Sequence, residues 1–227
     1  MFLYNLVDNF LMNDFTDEVI KNINKDNPVI FDVGCFIGNY SRKLKKKLNY
    51  KNLNFYLFDA NPNLKIKDFK YINEVFSNKI ETKNFYLNEF FPSSGSSLEN
   101  LTMTDKYWNL SRKLITLSTN KSFKKLRVKT NTIDNFCIKK KIKKIDLLKI
   151  DVEGSELKVL KGSKKILDKI KIIQIEILQT KKNFNKMEKK IKILLKSYNF
   201  KLIKEKQIWS VSLFSNLKSK DLLFIKS

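Results

Sequence analysis

Three carboxylates in this chain each close an apolar run and are followed at once by turn-forming residues: Asp32 in VIFDVG, Asp59 in FYLFDANP and Asp151 in LLKIDVEG. In an open α/β sheet, ligands bind outside the carboxyl ends of the strands, so an acid at a strand tip faces the binding crevice. Such a group can accept hydrogen bonds from the two hydroxyls of a ribose, orient a positive charge, or take a proton from a hydroxyl. Gly34 and Gly38, just past Asp32, let the backbone turn sharply and come close to a ligand. Asp32 and Asp59 stand one strand-helix-strand unit apart, the spacing of a unit that holds a nucleoside.

The glycine spacing narrows the nucleoside. A dinucleotide fingerprint, GxGxxG, needs its second glycine where the pyrophosphate meets the backbone, and Phe36 stands there. The ring disfavours a pyrophosphate, and the GxxxG spacing suits a ligand without phosphate. The sharpest signal is IDLLKIDVEGSELKVLKG at residues 145 to 162, which sets Asp151, Glu153, Gly154 and Glu156 around a strand end and a helix start. Glu153 and Glu156 there also fit helix capping and the helix dipole. Glu176, inside the apolar IIQIEIL, is either paired, with a lysine for instance, or aimed at the site. Cys35 in the glycine turn reads as a small packing residue, since the chain has no histidine to activate it.

The inventory removes other chemistries. With no histidine and only Cys35 and Cys137, outside any CxxC pair, a zinc site and a histidine base are both excluded. A formal net charge of +23 raises nucleic acid or an anionic membrane as partner. Only Arg42, Arg112 and Arg127 of the 46 basic residues are arginine, however, and the lysines are spread along the whole chain. Base readout favours the arginine fork, so the charge reads as a solvated surface and nucleic acid is not expected as partner. No uncharged apolar run is long enough to span a bilayer, and MFLYNLVDNFLMNDF lacks the marks of a signal peptide, so a soluble, cytoplasmic protein is expected.

The elements that must position these groups follow from periodicity. Residues 28–33 and 55–58 read as strands flanking the helical NYSRKLKKKL, a parallel βαβ unit with a right-handed crossover. Residues 71–76, 83–87 and 124–129 read as strands, 92–97 as a loop and 105–117 as a helix. The spacing predicts a short helix over 132–138, capped by Asn131 or Thr132. A further βαβ unit is marked by a strand at 145–150, a helix at 155–170 and a strand at 172–178. A helix over 185–198 and strands at 200–204, 208–214 and 222–225 complete the chain. The expectation is one α/β domain: a leading helical segment over 1–27, a cofactor-binding core over 28–180, and a C-terminal helix and edge strands over 181–227.

At these residues the sequence resembles the FkbM family of S-adenosylmethionine-dependent methyltransferases. The likeness rests on VIFDVGCFIGNYS, FYLFDANP, SSGSSL at 93 to 98, TNTIDNF at 130 to 136 and the 145 to 162 motif, and covers about residues 28 to 180. It implies a Rossmann-like class I sandwich, with a mainly parallel seven-stranded sheet and an antiparallel C-terminal edge strand. It also implies S-adenosylmethionine as cofactor, with Asp32, Gly34, Cys35 and Gly38 in the cofactor loop, Asp59 and Ala60 at the ribose, and Ser77 and Asn78 near the adenine. Related enzymes often carry an acid at the last place, and Asn78 departs from that pattern. The family implies O-methylation of a sugar, a polysaccharide unit or a secondary metabolite, with Asp151 beside the transferred methyl. Asp151 or Glu153 is the candidate proton acceptor. No metal is expected, although the same carboxylates with Glu176 form the alternative of a magnesium site. An RNA methyltransferase and a non-catalytic module of the same fold are the competing functions.

Overall fold

A computed structural model describes residues 15–23, 26–48, 52–88, 96–110, 123–208 and 215–227. The first part of the leading helical segment, most of the serine loop, the second half of the 105–117 helix and the stretch 209–214 lie outside the described residues.

The sequence alternates strands and helices because its apolar residues alternate in period. In the central strand, β7 (Ile145–Ile150), every residue is buried, and Leu147 and Leu148 point to opposite faces. Around it lie β1 (Val29–Val33), β2 (Asn54–Asp59), β3 (Lys70–Asn73), β8 (Ile170–Thr180), β9 (Phe200–Ile208) and β10 (Leu217–Lys226), in the order β3-β2-β1-β7-β8-β10-β9. The pairs from β3 to β8 are parallel, and β10 runs antiparallel to both β8 and β9. The antiparallel C-terminal strand therefore lies one place in from the edge, which β9 forms.

One face is covered by α1 (Thr16–Asn22) and α2 (Asn39–Leu48); Tyr40, Leu44 and Leu48 of α2 repeat every fourth residue and are buried with Ile30, Leu57 and Leu147. The other face buries α4 (Ile133–Lys140), α5 (Glu156–Lys161) and α6 (Lys181–Lys196) against Phe31, Phe58, Leu148 and Ile173. A smaller sheet, β4-β6-β5, joins β4 (Val75–Phe76), β5 (Thr82–Asn88) and β6 (Phe123–Asn131), and a short α3 (Leu101–Thr104) precedes β6. No described helix is long and apolar enough to cross a membrane.

Three expectations shift. The single strand over 71–76 divides, since β3 joins the large sheet while β4 pairs with β6. The helix over 155–170 stops at Lys161. Beyond it, Asp134 accepts hydrogen bonds from the backbone N–H groups of Lys165 (3.0 Å) and Ile166 (2.9 Å), and Ser163 Oγ bonds the Leu160 carbonyl at 2.9 Å, so local polar groups take over from the helix ladder. The helix expected over 185–198 begins earlier, at Lys181. Of the two candidate caps of α4, Thr132 is the one used, its hydroxyl accepting the Asn135 N–H at 3.1 Å.

Candidate active site

A cleft opens at the carboxyl ends of β1, β2 and β7. Gly34, Asp59, Ala60, Asp151 and Glu153 line it, so the structure brings these expected site residues together. Phe36, Glu74, Val75, Phe76, Ser97 and Ser155 complete much of its wall.

The bend after β1 is built by backbone hydrogen bonds. Gly34 N–H and Cys35 N–H both donate to the Phe58 carbonyl (2.8 and 3.0 Å), Gly38 N–H donates to the Cys35 carbonyl (2.8 Å), and Phe36 N–H donates to Asp59 Oδ2 (2.9 Å). Phe36 holds φ +46°, a left-handed value uncommon for a side chain of its size. These N–H groups are spent inside the protein, whereas a phosphate cradle leaves them free. Asp59 Oδ1 also accepts from Asn61 N–H at 2.8 Å. The carboxylate is thereby fixed and retains lone pairs for two hydroxyl donors. Burial pushes its pKa up to about 6 against the pull of the Asn61 and Phe36 N–H groups.

Several expected ligands of the cofactor lie elsewhere. Asp32 is fully buried on the α2 face, where its Oδ2 accepts from Ser41 Oγ at 2.7 Å. Its Oδ1 makes no hydrogen bond and has the Lys149 ammonium 3.6 Å away. Cys35 is buried in the core cluster that holds Tyr40 and Leu44, and burial drives its thiol far above the ordinary range, so it is a packing residue. Gly38 answers to φ +82° and to Leu57, whose Cδ2 would lie 3.0 Å from an added Cβ. Ser77 is buried, with its carbonyl against Gly162, and Asn78 is exposed; neither lines the cleft, whose wall at this point is Glu74, Val75 and Phe76. Glu176 Oε1 accepts from Ser219 Oγ at 2.8 Å.

The tip of β7 is held from two sides. Asp151 N–H donates to the Val33 carbonyl at 2.9 Å, and its Oδ2 lies 3.1 Å from Lys149 Nζ. Glu153 is held at φ +56° beside Gly154 at +108°, a backbone turn that puts Glu153 on the cleft wall. Among the described residues no group of three or more histidine, cysteine, aspartate or glutamate side chains is arranged to hold a metal ion.

The model of the methyltransferase FkbM domain matches residues 32–202, three-quarters of the sequence. The chain belongs to the FkbM methyltransferase family. It is 25% identical over 171 residues to the 2-O-methyltransferase NoeI of Sinorhizobium fredii, covering 70% of this chain and 67% of that protein. Among solved structures, M. capricolum TrmK in complex with S-adenosyl-homocysteine overlaps 96% of this chain and 70% of its own, at 16% identity and a TM-score of 0.46. Magnesium protoporphyrin IX methyltransferase (ChlM) from Synechocystis PCC 6803 with bound SAM overlaps 98% of this chain and 79% of its own, at 11% identity and a TM-score of 0.45. Overlaps this loose transfer neither ligand nor substrate.

One feature of this FkbM methyltransferase escaped the reading of the motifs, Lys149; its signal is a lysine two places before Asp151 in an otherwise apolar run, which puts both on one face of the strand. Glu156, whose place at the helix start suits capping and the helix dipole, is fully buried under the Glu153 turn, its Oε1 accepting from Gly154 N–H at 2.6 Å and its Oε2 without a hydrogen-bond partner. Burial pushes its pKa to about 8, so it carries a proton at neutral pH. The unfolded chain ionises this group near the ordinary 4.5, so its contribution to stability is full below that pH and is lost as pH rises through about 8. Glu156→Gln mimics the protonated acid. Urea midpoints between about pH 5 and 9 are expected to fall more steeply for the wild type than for the variant, the difference reaching up to a few kcal/mol in stability. Parallel curves would show that Glu156 is ionised throughout.

Proposed function

We propose that this methyltransferase moves a methyl group from S-adenosylmethionine to a hydroxyl of a sugar, a polysaccharide unit or a secondary metabolite. The observation that carries the reading is the sign of the cleft: Asp59, Glu74, Asp151 and Glu153 line it, and among the described residues no lysine or arginine does. A cationic donor and a neutral, hydroxyl-bearing acceptor suit such a wall. A nucleic acid, whose phosphates would face these carboxylates, does not, despite the basic surface. The name of the relative NoeI, a 2-O-methyltransferase, fits an acceptor hydroxyl.

The residues present suit the donor. Asp59 would hold the ribose hydroxyls, Phe36, Val75 and Phe76 would offer apolar surface to the adenine, and Glu74 would accept from its amino group. When bound, S-adenosylmethionine supplies a methyl group on a positively charged sulfur. The protein's part is to hold an acceptor oxygen in line with that carbon and to take the hydroxyl proton on a carboxylate, for which Asp151 and Glu153 stand on the wall.

The test of the donor site is Asp59→Ala, expected to lower calorimetric affinity for S-adenosylmethionine by at least about a hundred-fold through loss of two charge-assisted hydrogen bonds. In the wild type, affinity should also fall as pH drops through about 6, where Asp59 takes up a proton. Unchanged affinity in the variant would remove Asp59 from the site.

A further inference from the structure

Lys149 is a buried cation that stands behind the cleft wall, against Asp151. It pairs in register with Asp32 across β1 and β7, and its Nζ lies 3.1 Å from Asp151 Oδ2, 3.6 Å from Asp32 Oδ1 and 5.2 Å from the centre of the Tyr40 ring. Its side chain is 11% exposed. Burial opposes its charge, but Asp151 and Asp32 outweigh that and hold the ammonium protonated. Among the described residues, the ion pairs of Asp32 and Asp151 are both with this one lysine.

A solvated surface ion pair is worth little, but a buried lysine against two acids fixes the local potential. Asp59, Glu74, Asp151 and Glu153 line the cleft, and Asp32 lies beneath it. Unopposed, these groups would hold a cationic ligand firmly in the ground state. Methyl transfer discharges the sulfur, so an interaction that favours the full positive charge is weaker in the transition state and slows the reaction. An ammonium one carboxylate away from the ligand reduces that excess.

We propose that Lys149 sets the preference of the cleft between the cationic donor S-adenosylmethionine and its neutral product S-adenosylhomocysteine, acting through Asp151 as a specificity-determining residue. The inference rests on the reading of the cleft as the S-adenosylmethionine site. Donor and product differ by one methyl and one unit of charge, so the ratio of their affinities isolates the electrostatic effect from any general loss of shape.

The experiment is calorimetric titration of the wild type, Lys149→Met and Lys149→Arg with each compound at neutral pH and low salt. For a unit charge within about 10 Å at an effective dielectric near 20, Lys149→Met should raise the donor-to-product affinity ratio on the order of ten-fold, and Lys149→Arg should restore it. Should the methionine variant not fold, Lys149→Gln, which keeps a donor for Asp151 without the charge, replaces it. If both compounds weaken equally, or the ratio moves by less than about two-fold, Lys149 serves the fold alone and the proposal fails. If the wild type binds neither compound, the cofactor reading itself falls, and this inference with it.

Discussion

Gly34→Ala is expected to cost at least about 4 kcal/mol of folding stability, enough to remove much of the margin of a typical domain. Gly34 sits at φ +82°, where a Cβ is strained by about 1–2 kcal/mol. The larger effect is contact: an ideal Cβ would lie 1.7 Å from the Asp151 carbonyl oxygen and 2.7 Å from its carbonyl carbon. Both atoms are backbone, and that backbone is tied to β1 by the hydrogen bond from Asp151 N–H to the Val33 carbonyl. Nothing can rotate aside, so the tips of β1 and β7 must part, and the cleft between them with it. Gly38 has the same φ, yet its added Cβ would meet only the end of the Leu57 side chain at 3.0 Å, which can move. Gly38→Ala should therefore cost about 1–2 kcal/mol and leave the fold intact. Urea midpoints for the two variants test the contrast, and a Gly34→Ala protein within about 1 kcal/mol of wild type would show that the strand tips are not fixed by this contact.

That contrast also shows what a sequence can and cannot disclose. The glycines at 34 and 38 looked alike as letters, and both were read as room for a ligand. In the fold the first makes room for a neighbouring strand and the second for a leucine, because what a missing Cβ avoids depends on a partner about a hundred residues away or on a side chain packed from the next strand. The strand tips themselves were legible: an apolar run ending in an acid and a turn is a local pattern, and Asp59 and Asp151 stand on the cleft as read. Asp32 follows the same local pattern and does not, since its face of β1 is the one covered by α2. Alternation along a strand gives two faces but does not say which will be open. Ser77 and Asn78 lie off the cleft lining for a different reason, the division of the 71–76 strand between two sheets, which leaves Glu74, Val75 and Phe76 on the wall.

Asp151→Asn is expected to lower methyl transfer by about a thousand-fold, within the range for a lost general base, while affinity for S-adenosylhomocysteine stays within about three-fold. The argument begins with place: the backbone of Asp151 is pinned to Val33, its carboxylate is oriented by Lys149, and it lines the cleft at the end of the central strand. A sugar hydroxyl is a weak acid, and its proton must leave as the new carbon–oxygen bond forms; an amide of the same shape keeps the contacts and cannot accept it. In-line positioning of the acceptor survives the substitution, so turnover should fall steeply without vanishing. Transfer of isotope-labelled methyl to a panel of free sugars and polysaccharides, with the product-affinity measurement beside it, separates loss of chemistry from loss of the site. Were Asp151→Asn to turn over like the wild type while Glu153→Gln lost the thousand-fold, the proton would be leaving through the strained turn instead. The unusual φ of Glu153 would then be the feature that places the base.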